Sequence, residues 1–227
     1  MSGKQVTIKG PDGEFMAYLN GTGPAIVVIQ EIFGINHVVR EIVDDLAAQG
    51  WTAIAPDLFW RLEPGVELTD KTKEEWDRAF DLMNRFDIDK GVEDIAATIG
   101  YARTLSANGK VGAVGYCLGG LLAYLTAART DADATVGYYG VNIPSFLGEK
   151  DGIKNPLTLH VAGQDQFVDS EAQKAMKEGL KDHPKVTLHF YPERDHAFAR
   201  VGGAHYHEGD AQTANARTRD FFRDHLG

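Results

Sequence analysis

The chain has 227 residues, 43% of them hydrophobic and 25% charged, a balance that fits one globular domain with a sizeable core and excludes a disordered or fibrous chain. A formal net charge of −10, with no basic run, weighs against nucleic acid and anionic membrane surfaces as partners. The single cysteine excludes internal disulfides and fits a reducing cytoplasm; no basic-then-apolar leader is expected, and no apolar run approaches the ~20 residues that span a bilayer.

In chain order, apolar runs at 6–8 and 15–19 predict an antiparallel hairpin across Pro11-Asp12-Gly13. Further strands are expected at 25–29, 52–55, 111–114, 134–138, 157–161 and 186–191. Amphipathic stretches at 38–49, 73–86, 90–106, 118–129, 170–181 and 210–225 predict the helices between them. Strands alternating with helices predict a mostly parallel twisted sheet of about eight strands with helices on both faces, in a single domain over 1–227. The least regular stretch, 56–69, carries Phe59, Trp60, Arg61 and Pro64 just after a strand, at the sheet edge where open α/β folds bind ligands.

Cys117 stands in Gly115-Tyr116-Cys117-Leu118-Gly119-Gly120, directly after the 111–114 strand and at the start of the 118–129 helix. That is the position of the nucleophile in the elbow of an α/β-hydrolase, where a strained turn leaves room only for small residues two positions to either side. A lone cysteine is more commonly a small buried hydrophobe, but glycine at both flanking positions has a chance probability of roughly one per cent. In this fold the acid and the histidine follow the nucleophile in that order. Asp165 ends the 157–161 strand, with Asp169 and Asp195 as rivals, and His196 follows the last strand. Glu31 follows the 25–29 strand, in the region that supplies a backbone donor to the oxyanion hole; beside a thiol it would either raise the thiol's pKa or accept its proton. Arg200, four residues after His196, is the candidate cation to decide between these. His205-Tyr206-His207-Glu208 has metal-ligand chemistry but lacks a fourth ligand, so no metal and no cofactor are expected.

Taken together, Gln30-Glu31-Ile32-Phe33-Gly34-Ile35-Asn36, Pro56-Asp57-Leu58, the glycine-flanked cysteine, Gly137-Tyr138-Tyr139-Gly140, Gly163-Gln164-Asp165-Gln166-Phe167-Val168 and His196-Ala197-Phe198-Ala199-Arg200 resemble the dienelactone hydrolase (carboxymethylenebutenolidase) family from about residue 24 onward. The resemblance implies a single-domain α/β-hydrolase fold without a large lid, and opening of the enol-lactone ring of dienelactones to maleylacetate in chloroaromatic degradation. It places the family's cysteine, aspartate and histidine on Cys117, Asp165 and His196, its glutamate on Glu31 and a substrate-carboxylate arginine on Arg200. It further implies a resting thiol protected while Arg200 pairs with Glu31. A substrate carboxylate competing for Arg200 would free Glu31 to deprotonate Cys117. Backbone N–H groups of Ile32 and Leu118 would hold the oxyanion, and His196 would direct water onto the thioester.

One departure concerns the substrate. The best-known members carry a second carboxylate-binding arginine and a tyrosine where this chain has Trp76 and Phe80. Arg78 is the candidate replacement, although two residues along a helix rotate a side chain by about 200°. Phe33, Trp60, Tyr139 and Phe198 are the expected aromatic pocket, a small-molecule lactone or ester the expected partner, and a monomer the expected state. Two other readings are a carboxylesterase or lactonase of broader range, and a non-catalytic scaffold that binds a ligand.

Overall fold

The computed structural model describes residues 3–227. The chain divides into two compact units, Met1–Ala113 and Val114–Gly227, with the division inside one strand.

In the first unit β1 (Lys4–Gly10) and β2 (Gly13–Asn20) form the expected hairpin, with Gly10 opposite Gly13. Strands β3 (Ala25–Ile29) and β4 (Thr52–Pro56) follow, in the spatial order β1-β2-β4-β3. β2 meets β4 antiparallel, and β3 meets β4 parallel. All five positions of β3 and of β4 are buried, which is why both read as unbroken apolar runs rather than alternating ones. Helices α1 (His37–Ala48), α2 (Lys73–Arg85) and α3 (Ile88–Leu105) begin where a polar side chain satisfies an otherwise unpaired N–H. Asn36, Thr72 and Asp87 accept from the N–H groups of Val39, Glu75 and Lys90.

The irregular stretch after β4 is fixed by buried charge. Asp57 accepts from the N–H groups of Phe59 and Gly65, and fully buried Asp94 of α3 holds both the indole N–H of Trp60 and the guanidinium of Arg61. Burial raises the pKa of Asp57 despite those two backbone bonds.

The second unit carries the second half of β5 (Val111–Tyr116), then α4 (Leu118–Arg129), β6 (Ala134–Tyr138), a 3₁₀ segment (Ile143–Gly152), β7 (Leu157–Ala162), α5 (Ser170–Leu180), β8 (Val186–Tyr191) and α6 (Glu208–Leu226). Its strand order is β5-β6-β7-β8, with β6, β7 and β8 mutually parallel. β6 and β7 are buried throughout, whereas β8 is half-exposed as an edge strand. In α4 every residue from Leu118 to Ala127 is buried, so its sequence is apolar on all sides.

The strands expected at 25–29, 134–138 and 186–191 and the helix at 118–129 match end to end. Helices α3 and α6 start two residues earlier than expected, because the caps are Asp87 and His207. The 3₁₀ segment has no counterpart among the expected elements; it lacks an apolar period and carries Pro144 as its second residue.

Two glycine replacements separate packing from propensity. A Cβ on Gly120 would lie 2.5 Å from the carbonyl oxygen of Tyr138, whereas one on Gly100 of α3 would meet nothing within 4 Å. Gly120→Ala is expected to destabilise by about 1–3 kcal/mol or more, and Gly100→Ala to stabilise by up to about 1 kcal/mol. Denaturant melts of the two variants check both signs.

Candidate active site

The site is built from the turns that follow β5, β7 and β8. Cys117 leaves β5 with φ 57° and ψ −116°, a left-handed conformation that a non-glycine residue adopts only under constraint. Its N–H donates to the Tyr138 carbonyl at 3.1 Å, and its own carbonyl accepts from Gly120 at 2.9 Å and Leu121 at 3.3 Å. The chain folds back so tightly that a Cβ on Gly115 would sit 1.9 Å from the Gly119 carbonyl oxygen. This is the steric reason for the small residue two positions before the cysteine. The thiol is thereby placed at the N-terminus of α4, whose dipole favours an anion. All four described non-glycine residues with positive φ lie in this unit: Cys117, Tyr139, Asn142 and Ala197, the last directly after His196.

The three aspartates take different places. Asp165 Oδ2 accepts from His196 Nδ1 at 2.8 Å, and its Oδ1 accepts from the Phe167 N–H at 2.9 Å. Asp169 caps α5 through the N–H of Ala172, and Asp195 binds backbone N–H groups rather than the imidazole. Both Asp165 and His196 are buried, at 6% and 5% exposure. The edge of the His196 ring is packed by Tyr139, at 5.1 Å between centroids, and by Phe167, at 4.8 Å. The sequence does not single out Phe167 as a neighbour of the histidine, because it stands in a loop without periodicity.

Burial alone would lower the pKa of His196. The charge of Cys117, the Asp165 hydrogen bond, hydrogen bonding to Cys117 and the charge of Asp165 outweigh burial and raise it to about 10. Nε2 has no hydrogen-bond partner of good geometry among the described residues, yet Cys117 acts on the ring strongly. A loose thiol–imidazole contact of this kind commonly tightens when substrate binds. A thiol on a strained elbow, with a histidine bonded to a buried carboxylate, offers the residue types that covalent acyl transfer uses.

The model of the family described as "Dienelactone hydrolase family" matches residues 15–226. The chain belongs to the dienelactone hydrolase family. A relative from Azospirillum brasilense, provisionally named a carboxymethylenebutenolidase, is 51% identical over 96% of each chain. A carboxymethylenebutenolidase of Pseudomonas putida is 40% identical over 95% of this chain and 94% of its own. A solved structure from Klebsiella pneumoniae, provisionally assigned as a dienelactone hydrolase, superposes with a TM-score of 0.85 over 97% of this chain and 98% of its own, at 24% identity. A dienelactone hydrolase-like promiscuous phosphotriesterase from metagenomic libraries gives 0.79 over all of both chains, at 19% identity. The fold is therefore the mostly parallel, eight-stranded α/β-hydrolase type without a large lid, and the chain is a hydrolase of this family.

Other residues expected from the family pattern fall into place differently. Glu31 and Ile32 lie buried in the turn after β3, and that segment is stitched down by Leu68 N–H donating to the Phe33 carbonyl and Asn36 Nδ2 donating to the Leu68 carbonyl. Arg200 sits half-buried where two turns overlap, its N–H on the Ala197 carbonyl and its carbonyl accepting from Gly203. Leu118 opens α4, so helix geometry leaves its N–H without an intrahelical acceptor.

Three of the expected pocket residues have partners elsewhere in the structure. Trp60, half-buried, stacks on Phe15 at 5.6 Å and donates to Asp94, all within the first unit. Phe198 is fully buried between Tyr139 and Tyr191 and is core. Arg78, on the exposed side of α2, is ion-paired with Glu63 and so is already engaged. Trp76 instead packs edge-on against Phe33 and stacks on Phe80. Of the metal-like run, His205 faces Asp195 and His207 caps α6; among the described residues no group of three or more His, Cys, Asp or Glu could hold a metal ion. No described helix is long and apolar enough to cross a membrane.

Because the folded pKa of His196 lies above its ordinary value of 6.5, its contribution to stability is fully present below that value and is lost as pH rises through about 10. Histidine NMR should find one imidazole still protonated near pH 8. That ring should titrate lower in both Cys117→Ala and Asp165→Asn, since each removes a group that holds the charge. Unchanged titration in both variants would sink this account.

Proposed function

We propose that the chain hydrolyses a carboxylate-bearing enol-lactone of the dienelactone type through a cysteine-linked acyl-enzyme. The observation that carries the reading is Cys117 at φ 57° on an elbow in the same unit as the Asp165–His196 pair. The names of relatives at 40–51% identity support the substrate class.

In the proposed reaction the thiolate of Cys117 attacks the lactone carbonyl, and the N–H groups of Leu118 and Ile32 stabilise the tetrahedral oxyanion. Such donors are worth several kcal/mol in acyl transfer. Collapse breaks the ring C–O bond, releasing the enolate and leaving a thioester on Cys117. His196, having given its proton to the departing enolate oxygen and still oriented by Asp165, takes a proton from water, whose hydroxide equivalent attacks the thioester and returns the thiolate. Glu31 is proposed as the group that takes the thiol proton for acylation and returns it to the regenerated thiolate when product leaves, and Arg200 as the anchor of the substrate carboxylate. Phe33 and Tyr139, buried but aromatic, are proposed to back the substrate. The two compact units are proposed to act as one domain, since the family match runs through both.

One observation favours a wider ester or lactone range within the same chemistry. Arg78 is committed to Glu63, and the family's second anchor position holds Trp76, packed on Phe33. A substrate carboxylate would then rest on one arginine rather than two.

With a dienelactone and with a simple aryl ester, Cys117→Ala is expected to lose about 10³-fold or more in kcat, and Glu31→Gln about a hundredfold through acylation. Acid-quenched mass spectrometry should find the acyl group on Cys117. Turnover of Cys117→Ala at the wild-type rate would exclude the covalent mechanism, and ester turnover without lactone turnover would replace the substrate while leaving the mechanism intact.

A further inference from the structure

We infer that Asp195 is a positioning residue that holds the acid-bearing and histidine-bearing turns in register, so that the Asp165–His196 hydrogen bond forms with the correct geometry. The inference rests on the functional reading above and deepens it.

Two turns must agree for a histidine to meet its carboxylate, the one after β7 and the one after β8. The backbone ties them near their bases: Gly163 N–H donates to the Tyr191 carbonyl at 2.9 Å, and Gln164 N–H to the Arg194 carbonyl at 2.8 Å. Beyond that point the side chains take over. Asp195 Oδ1 accepts from the N–H of His196 at 2.6 Å and from the N–H of Gln166 at 3.3 Å. The next N–H along, that of Phe167, goes to Asp165 Oδ1 at 2.9 Å. Successive amides of the acid-bearing turn are thus shared between two carboxylates, one on each turn, and a single oxygen of Asp195 joins the histidine's own backbone to that turn. The residue after His196, Ala197, has φ 61°, so the backbone that aims the imidazole is strained and needs holding. Asp195 Oδ2 faces His205 Nδ1 at 3.5 Å, which orients the carboxylate from the loop after Arg200.

Such a residue never touches the reacting atoms. It acts by keeping a 2.8 Å bond at 2.8 Å, and loss of alignment on the ångström scale costs up to about a hundredfold in rate. What positions is an acceptor oxygen at a given place rather than negative charge as such. Asn keeps that acceptor, Ala removes it, and Glu keeps the charge but moves the oxygen by one methylene.

The test compares Asp195→Asn, Asp195→Ala and Asp195→Glu with wild type, using melting temperature to check folding, kcat and KM for a Cys117-dependent ester, and the low-field proton NMR resonance of the Asp165–His196 hydrogen bond. Expected are a roughly tenfold or greater loss in kcat with little change in KM for the Ala and Glu variants. Their low-field resonance should broaden or vanish, while the Asn variant keeps both kcat and resonance. Wild-type kcat and resonance in folded Asp195→Ala would overturn the proposal. So would loss of both in Asp195→Asn, since that would make charge the active property. If Asp195→Ala does not fold, the Asn and Glu pair decides by the same criteria. The NMR arm needs no substrate, so failure of the proposed reaction, seen as Cys117-independent turnover, is distinguishable from failure of the positioning role.

Discussion

Everything that can happen at this site depends on one residue being kept in a conformation it would not choose. A cysteine at φ 57° costs of order 1–3 kcal/mol relative to relaxed backbone, and the surroundings leave it no alternative. Its N–H is taken by β6, its carbonyl by the first turn of α4, and the helix it starts is buried along ten residues. The glycines around it are what allow the approach: Gly115 lies against Gly119, and Gly120 lies against the backbone of Tyr138 and Gly140. The strain is thus supported by sheet hydrogen bonds and core packing, and its result is a buried sulfur held at a helix N-terminus.

The electrostatics follow from that placement. Two histidines of this unit are almost equally hidden, His196 at 5% exposure and His160 at 1%, and they are driven in opposite directions. His160 lies between the hydroxyls of Tyr191 and Thr218, at 2.9 and 3.1 Å, with no anion to offset a charge, and burial pushes its pKa well below the ordinary value. His196 suffers the same desolvation but has Cys117 on one side and Asp165 on the other, and it keeps its proton. Burial therefore does not set the protonation state by itself; the charge of the neighbours does.

Much of this is legible in the chain because it is imposed locally. The elbow is a run of six residues whose sterics admit only glycine at its flanks, and β3, buried at every position, announces itself as an unbroken apolar run. The pairing of Asp165 with His196 is readable because each follows a predicted strand. Aromatic side chains are not, since packing against a neighbour and lining a pocket use the same residue types. Trp60 is decided by Asp94, thirty-four positions away, and Phe198 by Tyr191 on the neighbouring strand. Arg78 is decided by Glu63 across a loop of no regular period. Such partnerships are long-range, and no local pattern encodes them.

The aspartates mark the boundary between the two kinds of information. Asp165, Asp169 and Asp195 are similar by sequence position, each within a few residues of a strand end or a helix start. Asp169 is a cap because a helix begins at Ser170 and offers it the N–H of Ala172. Asp165 is the partner of His196 because its turn brings Oδ2 to the imidazole while its other oxygen is occupied by the amide of Phe167, two residues on. Asp195 cannot serve as that acid while one oxygen is committed to the N–H groups of His196 and Gln166 and the other faces His205. A carboxylate accepts at several lone-pair sites, so its role is set by which donors reach it first. Here backbone amides take up two of the three carboxylates and leave a single oxygen, Oδ2 of Asp165, to orient the histidine.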